Sequence, residues 1–182
     1  MTTALLVIDM QMEMTFRTQS GRDRANLDAE TNVAALLALF RGQGHPVIHV
    51  HHDQPGTPVA LGAPGGAIMP CAVPAAGETV LIKSGSSAFY GTGLDEHCRA
   101  NGISQLVICG AVAAFCVTSS TRWASDLGYT VLLPQDALIG FDTPRPDGSR
   151  ISAATELDVT LTLLGADFAT VMPASDIAAS LA

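Results

Sequence analysis

Positive charge is scarce in this chain. Nine Lys and Arg side chains stand against seventeen Asp and Glu, a net charge of −8 over 182 residues, and no run of basic residues occurs. Proteins that grip nucleic acid neutralise its phosphates with clustered Lys and Arg, so no nucleic-acid partner is expected. Long apolar runs are missing as well: none approaches the ~18–20 residues that a membrane span requires, so no membrane partner is expected either. The opening Met1-Thr2-Thr3-Ala4-Leu5 lacks a basic leader and runs straight into a strand pattern, which predicts no signal peptide. Cysteine is sparse and shows no CxxC pair. Cys71, Cys98, Cys109 and Cys116 occur in a chain that is long enough to need no disulfide staples, so a reducing, cytoplasmic setting is expected. Phosphate-cradling glycine motifs are absent: no GxxxxGK follows a strand and no GxGxxG opens a helix. Charged residues make up only 14% against 48% hydrophobic, which excludes disorder and predicts a large core. The low charge also predicts apolar surface left for contacts between copies, hence a homo-oligomer.

What is present is a series of short apolar runs, each broken by a polar or charged residue. Ala4–Ile8 ends at Asp9, the run through Val47–Val50 leads into His51-His52-Asp53, and Thr79–Ile82 ends at Lys83. Residues 105–109, 129–133 and 168–172 make three more runs. Runs apolar on both faces are the mark of strands in a covered parallel sheet. Helical spacing appears over 26–42, 94–100, from about Cys116 to Leu127, and over 152–164. Residues 12–24, 54–78 and 140–150 read as loops, the second long enough to serve as a wall of a binding site. Strands separated by helices predict one domain over residues 1–182, an open parallel sheet sandwiched by helices. No internal repeat or linker interrupts it.

In such sheets ligands bind beyond the carboxyl ends of the strands. Asp9, Lys83 and Cys116 follow the first, third and fourth strands and so share one edge. Cys116 follows a glycine and small residues where a helical pattern begins. The positive potential of a helix start is expected to lower its pKa. An acid, an ammonium and a thiol on one edge can form a nucleophilic site: Lys83 holds the thiolate by charge, and Asp9 accepts the thiol proton and returns it to a leaving amine. Backbone N–H groups in the turn before Cys116 would stabilise an oxyanion. A purely structural Asp9–Lys83 ion pair beside an inert thiol is the competing interpretation. A thioredoxin-like redox role lacks a resolving cysteine near Cys116.

His49, His51, His52 and Asp53 are close enough together to be weighed as zinc ligands. No HxxxH or carboxylate–x–His pair follows them, so no metal and no other cofactor is expected.

Several motifs together resemble the isochorismatase-like cysteine hydrolases. They are Val7-Ile8-Asp9-Met10-Gln11, Lys83 followed by Ser87-Ala88-Phe89 and Gly91-Thr92-Gly93-Leu94, and the stretch from Gly110 through Cys116-Val117, with Gly128-Tyr129 and Asp136-Ala137 beyond. The resemblance spans nearly the whole chain. It implies a three-layer α/β/α sandwich with a six-stranded parallel sheet, an Asp9–Lys83–Cys116 triad, and a cis peptide at Ala111–Val112 that turns the N–H groups of Val112 and Cys116 into an oxyanion hole. The implied chemistry is attack on a small-molecule amide through a thioester. Relatives lacking the cysteine cleave a vinyl ether, and Cys116 argues against that here. The chain departs from the family in places. His49-Val50-His51-His52-Asp53 replaces the Asp–x–His metal motif of nicotinamidases, and Ala113, Ala114 and Phe115 replace more polar residues before the cysteine. Met12-Glu13-Met14 and Leu157 also differ. These changes predict a more apolar pocket, with Phe16, Phe89 and Phe115 as candidate walls for a partly apolar amide. A catalytically silent relative that binds a ligand or partner through the same cleft is the alternative.

Overall fold

A computed structural model describes residues 2–181. The first half of the chain forms β1 (Thr2–Ile8), α1 (Met12–Gln19), β2 (Arg24–Ala25), α2 (Ala29–Gln43), β3 (Val47–His52), β4 (Thr79–Lys83) and α3 (Leu94–Ala100). The second half forms β5 (Ile103–Ala111), α4 (Thr118–Asp126), β6 (Thr130–Pro134), β7 (Leu138–Phe141), β8 (Thr143–Pro144), β9 (Arg150–Ile151), α5 (Ala153–Asp167) and β10 (Thr170–Met172).

Six strands lie parallel in the order β10-β6-β5-β1-β3-β4, as the resemblance implied. β1 sits in the middle, with Leu6 opposite both Ile48 and Ile108. Successive side chains of a strand point to opposite faces, so an all-apolar strand must be covered twice. Leu5 and Val7 face α2, where Val33, Leu36, Leu37 and Phe40 are all at most 2% exposed. Leu6 and Ile8 face the other layer and pack with Leu94, Ala124, Leu157 and Leu164. Each such side chain taken from water contributes about 1.5–3 kcal/mol, which makes the two cores the main support of the sheet. Among the described residues no helix is long and apolar enough to cross a membrane.

Three expectations change. The stretch 12–24 is not all loop, because Met12–Gln19 is helical and buries Met14. Its mixed polarity hides the helix, since only a narrow stripe of it meets the core. The stretch 140–150 is also structured. β7, which lies parallel to the end of β5, carries Gly140 and Phe141 into antiparallel pairs with Ala25 and Arg24 of β2, and β8 pairs antiparallel with β9. Finally, β4 is an edge strand whose Val80 and Ile82 are each 44% exposed, so its apolar run does not mean burial on both faces.

Candidate active site

Three strands bring their ends together at the carboxyl edge of the sheet. β1 stops where Asp9 takes φ +50°, a left-handed conformation that Asp tolerates better than most residues. The Asp9 N–H is tied to Val50 O at 2.9 Å, and its side chain is buried. Gly110, on β5, lets the two strands close at this point. A Cβ there would sit 2.1 Å from Ile8 O, and its φ of +115° favours glycine. The Ala111–Val112 peptide is cis, and a π-type turn over Ala113–Val117 then carries Cys116 into α4.

Lys83 is the only lysine in the chain, and it is 1% exposed. Its strand lies two places from β1, with β3 between them. Neighbouring strands are about 4.8 Å apart, so only a long side chain can cross β3 to reach Asp9. Lys83 Nζ lies 2.8 Å from Asp9 Oδ2, 2.9 Å from His52 Nδ1, 3.2 Å from Gly85 O and 3.3 Å from Cys116 Sγ. The His52 ring is thus within hydrogen-bond distance of the lysine through Nδ1.

Burial raises the Asp9 pKa, against the lowering pull of Lys83, and Oδ1 of Asp9 is buried with no hydrogen-bond partner among the described residues. Burial, reinforced by the Asp9 charge, pushes the Cys116 thiol up to about 11 even though Lys83 pulls the other way. The expected lowering of this pKa by a helix start is therefore reversed. Cys116 lies at the fourth position of the π-type turn, ahead of α4, and the cost of desolvating a thiolate beside a carboxylate dominates.

Donor atoms of Asp9, His52 and Cys116 lie within 4.8 Å of one another, close enough to hold a metal ion. Lys83 Nζ already contacts all three, so a tethered cation occupies the centre of that set. His49 and His51 turn to the opposite face of β3. His49 pairs with Glu78 at 2.8 Å, and burial pushes His51 down to about 4. The histidine run therefore does not converge on one point.

A cavity of about 310 Å³ opens over Cys116, and Val112, Phe115, His52, Gln54 and Val59 are among the residues lining it. A larger cavity, about 520 Å³, lies at the amino edge of the sheet between Arg41, Glu78 and His97, and contains none of the three reactive groups. Of the predicted walls, Phe115 lines the cavity. Phe89 is instead buried in the core with its ring 5.9 Å from that of Tyr129, and Phe16 is exposed on α1, outside the cavity lining. Phe89 is drawn inward because Ala88 N–H bonds to Ser120 Oγ, docking this link onto α4.

Sequence reasoning missed four cavity residues: Gln11, Met14, Arg17 and Arg22. Gln11 is 1% exposed, and its amide joins three segments. Nε2 donates to His52 O at 3.0 Å and Gly66 O at 3.1 Å, while Oε1 accepts from His52 N at 2.8 Å. Its position two residues after a strand-ending aspartate was the available signal. Arg17 and Arg22 carried none, because they fall in the stretch read as loop.

An open parallel sheet with a buried carboxylate–ammonium–thiol cluster at its carboxyl edge defines an α/β protein of the cysteine-hydrolase type. The isochorismatase domain matches residues 3–162, and the chain belongs to the isochorismatase family, which is a family of hydrolases. It is 32% identical to the isochorismatase family protein YrdC of Bacillus subtilis over 93% of this chain and 90% of that one. A crystal structure from Chromobacterium violaceum assigned to the same family superposes with a TM-score of 0.92. It shares 36% identity and covers 99% of this chain and 93% of that one. A shorter match, 37% identical over 65 residues, reaches N-carbamoylsarcosine amidase of an Arthrobacter species, covering 36% of this chain and 25% of that protein.

Proposed function

We propose that this hydrolase cleaves the C–N bond of a small amide through a thioester on Cys116. The observation that carries this reading is the pairing of a protonated thiol with a buried base. A thiol pushed up to about 11 needs a partner to remove its proton, and Asp9, raised by burial, keeps one oxygen on Lys83 and leaves the other without a partner among the described residues. Raising the base makes Asp9 a stronger proton acceptor, and holding it beside the thiol gives the proton a short path.

In this mechanism Asp9 takes the S–H proton as Sγ bonds to the amide carbon. The carbonyl electron pair becomes an oxyanion, held by the N–H groups of Val112 and Cys116. The Val112 N–H donates to no backbone group among the described residues, which leaves it free for this role. As the C–N bond breaks, Asp9 passes its proton to the leaving nitrogen, and an amine or ammonia departs. Water then attacks the thioester, giving one proton to Asp9; the carboxylic acid leaves, and that proton returns to Sγ. Lys83 remains charged throughout and offsets the negative charge that moves between Asp9 and Cys116. The partial match to an amidase supports an amide as the substrate class.

The test is a screen of small amides for ammonia or amine release, followed by intact-mass detection of acylated Cys116 during turnover. The expected result is release that is abolished in Cys116→Ala, with a transient acyl adduct on the wild type. Turnover that survives in Cys116→Ala sinks the mechanism, and absence of turnover on all amides supports a silent, ligand-binding relative.

A further inference from the structure

The cavity over Cys116 also holds two arginines for which the reaction above has no use. Arg17 lies on α1 and Arg22 just beyond it, and both line the cavity. Both guanidiniums sit beside the ring of Phe141, at 6.0 and 5.3 Å from its centre, so one aromatic side chain orients the pair. About a third of each side chain is open to solvent, 34% for Arg17 and 32% for Arg22.

Their protein partners use only part of what they offer. Arg17 spends Nε on Glu13 at 2.9 Å. Arg22 spends Nε on Asp142 Oδ1 at 3.1 Å and Nη2 on Asp142 O at 2.7 Å. Both Nη groups of Arg17 and Nη1 of Arg22 meet no acceptor among the described residues. The neighbouring carboxylates use one oxygen each on these arginines, Glu13 on Arg17 and Asp142 on Arg22. Arg150 takes the second oxygen of Asp142, and Asp23 accepts the Ala153 N–H at the start of α5. Guanidinium N–H groups are the side-chain donors best shaped for a carboxylate, and apolar neighbours such as Met14 and Val59 strengthen such a bond by excluding water.

We propose that Arg17 and Arg22 form a subsite for a carboxylate, so that the substrate is a small amide bearing a free carboxylate at its far end. The inference rests on the proposed amide reaction for the other end of the molecule. The chemical class is that of monoamides of short dicarboxylic acids and acylated amino acids. The cavity is at the small end of ligand sites, which limits the spacer between amide and carboxylate to a few atoms.

The experiment separates binding from turnover. Binding of succinamate and glutaramate to the full chain carrying Cys116→Ser is measured by calorimetry against the matched neutral diamides, succinamide and glutaramide. The same titrations are made with Arg22→Gln, Arg22→Lys and Arg17→Gln added. Arg17 makes one ion pair within its own helix and a contact with the Phe141 ring, and bonds no distant backbone group as Arg22 does, so Arg17→Gln retains the fold should Arg22→Gln disturb it. The expected result is that at least one acid binds about tenfold or more tighter than its diamide, as for a charged hydrogen bond. Either Gln substitution removes that preference by weakening acid binding more than diamide binding, while Arg22→Lys retains part of it. Diamides that bind as well as the acids, acids that do not bind, or a preference that survives both Gln substitutions each overturn the subsite. Ammonia release by the wild type is scored separately. Turnover with no preference for acids rejects the subsite and keeps the reaction, whereas Arg-dependent binding with no turnover rejects the reaction and keeps the subsite.

Discussion

Gln11 and His52 are joined in both directions: the Gln11 amide donates to the His52 carbonyl at 3.0 Å and accepts from the His52 N–H at 2.8 Å. The glutamine side chain thus acts as a strand neighbour for the last residue of β3 and holds the imidazole that touches Lys83. Removing it in Gln11→Ala leaves buried backbone groups of His52 and Gly66 unpaired. The expected loss is about 2–4 kcal/mol in urea unfolding, with a fall in amide turnover as His52 and Lys83 lose their placement. Unchanged stability and turnover would show that the link is dispensable.

The charge order of the site makes a counterintuitive forecast for Asp9→Asn. The Asp9 carboxylate raises the Cys116 pKa, so removing its charge brings the thiol below about 11 and accelerates alkylation by iodoacetamide at neutral pH. Under the proposed mechanism hydrolysis falls at the same time, because Asp9 is the proton acceptor there. Lys83→Met shifts the thiol the other way, since Lys83 lowers its pKa. Rate profiles of alkylation against pH, read by peptide mass at Cys116, check both signs.

Gly110→Ala probes the approach of β1 and β5. The added methyl meets Ile8 O at 2.1 Å, at a φ that L-residues rarely adopt. Strain and overpacking together are expected to cost about 3 kcal/mol or more. Because Ile8 precedes Asp9, activity is expected to suffer more than the melting temperature alone implies. A variant with wild-type melting and turnover would show that the strands part without consequence.

At the amino edge of the sheet, hydrogen bonds from Arg41 hold Glu78 at a pKa of about 2, below the usual 4.5. A carboxylate with a depressed folded pKa adds stability that is present above about pH 4.5 and lost as the pH falls toward 2. Glu78→Gln is expected to cost about 2 kcal/mol at neutral pH, discounted for partial exposure, with the gap to wild type closing below pH 4.5. The neutral His51 adds to acid sensitivity in the wild type. Its folded pKa of about 4 lies below the usual 6.5, so protonating it favours unfolding as the pH falls through that interval. Denaturant titrations at several pH values measure both effects, and a gap independent of pH would contradict the first.

Periodicity and punctuation in the chain were enough to place the six parallel strands and to put Asp9, Lys83 and Cys116 at one sheet edge. Apolar runs record which faces an element must bury, and the residue that breaks a run marks its end. The remaining features depend on groups far apart in the chain. The crossing of Lys83 over β3 follows from strand order, which no local pattern encodes. The rise in the Cys116 pKa follows from desolvation by many surrounding residues together with the charge on Asp9, and it outweighs any lowering expected at a helix start. Phe89 and Phe115 have the same side chain, yet one fills the core and the other borders the cavity, because the docking of the link onto α4 decides which faces inward. Gln11, Arg17 and Arg22 take their roles from partners dozens of residues away or from a cavity that exists only after the sheet and its loops have closed. The chain's local chemistry determined which groups reach the edge, and tertiary packing alone decided how far apart they stand and how deeply each is buried.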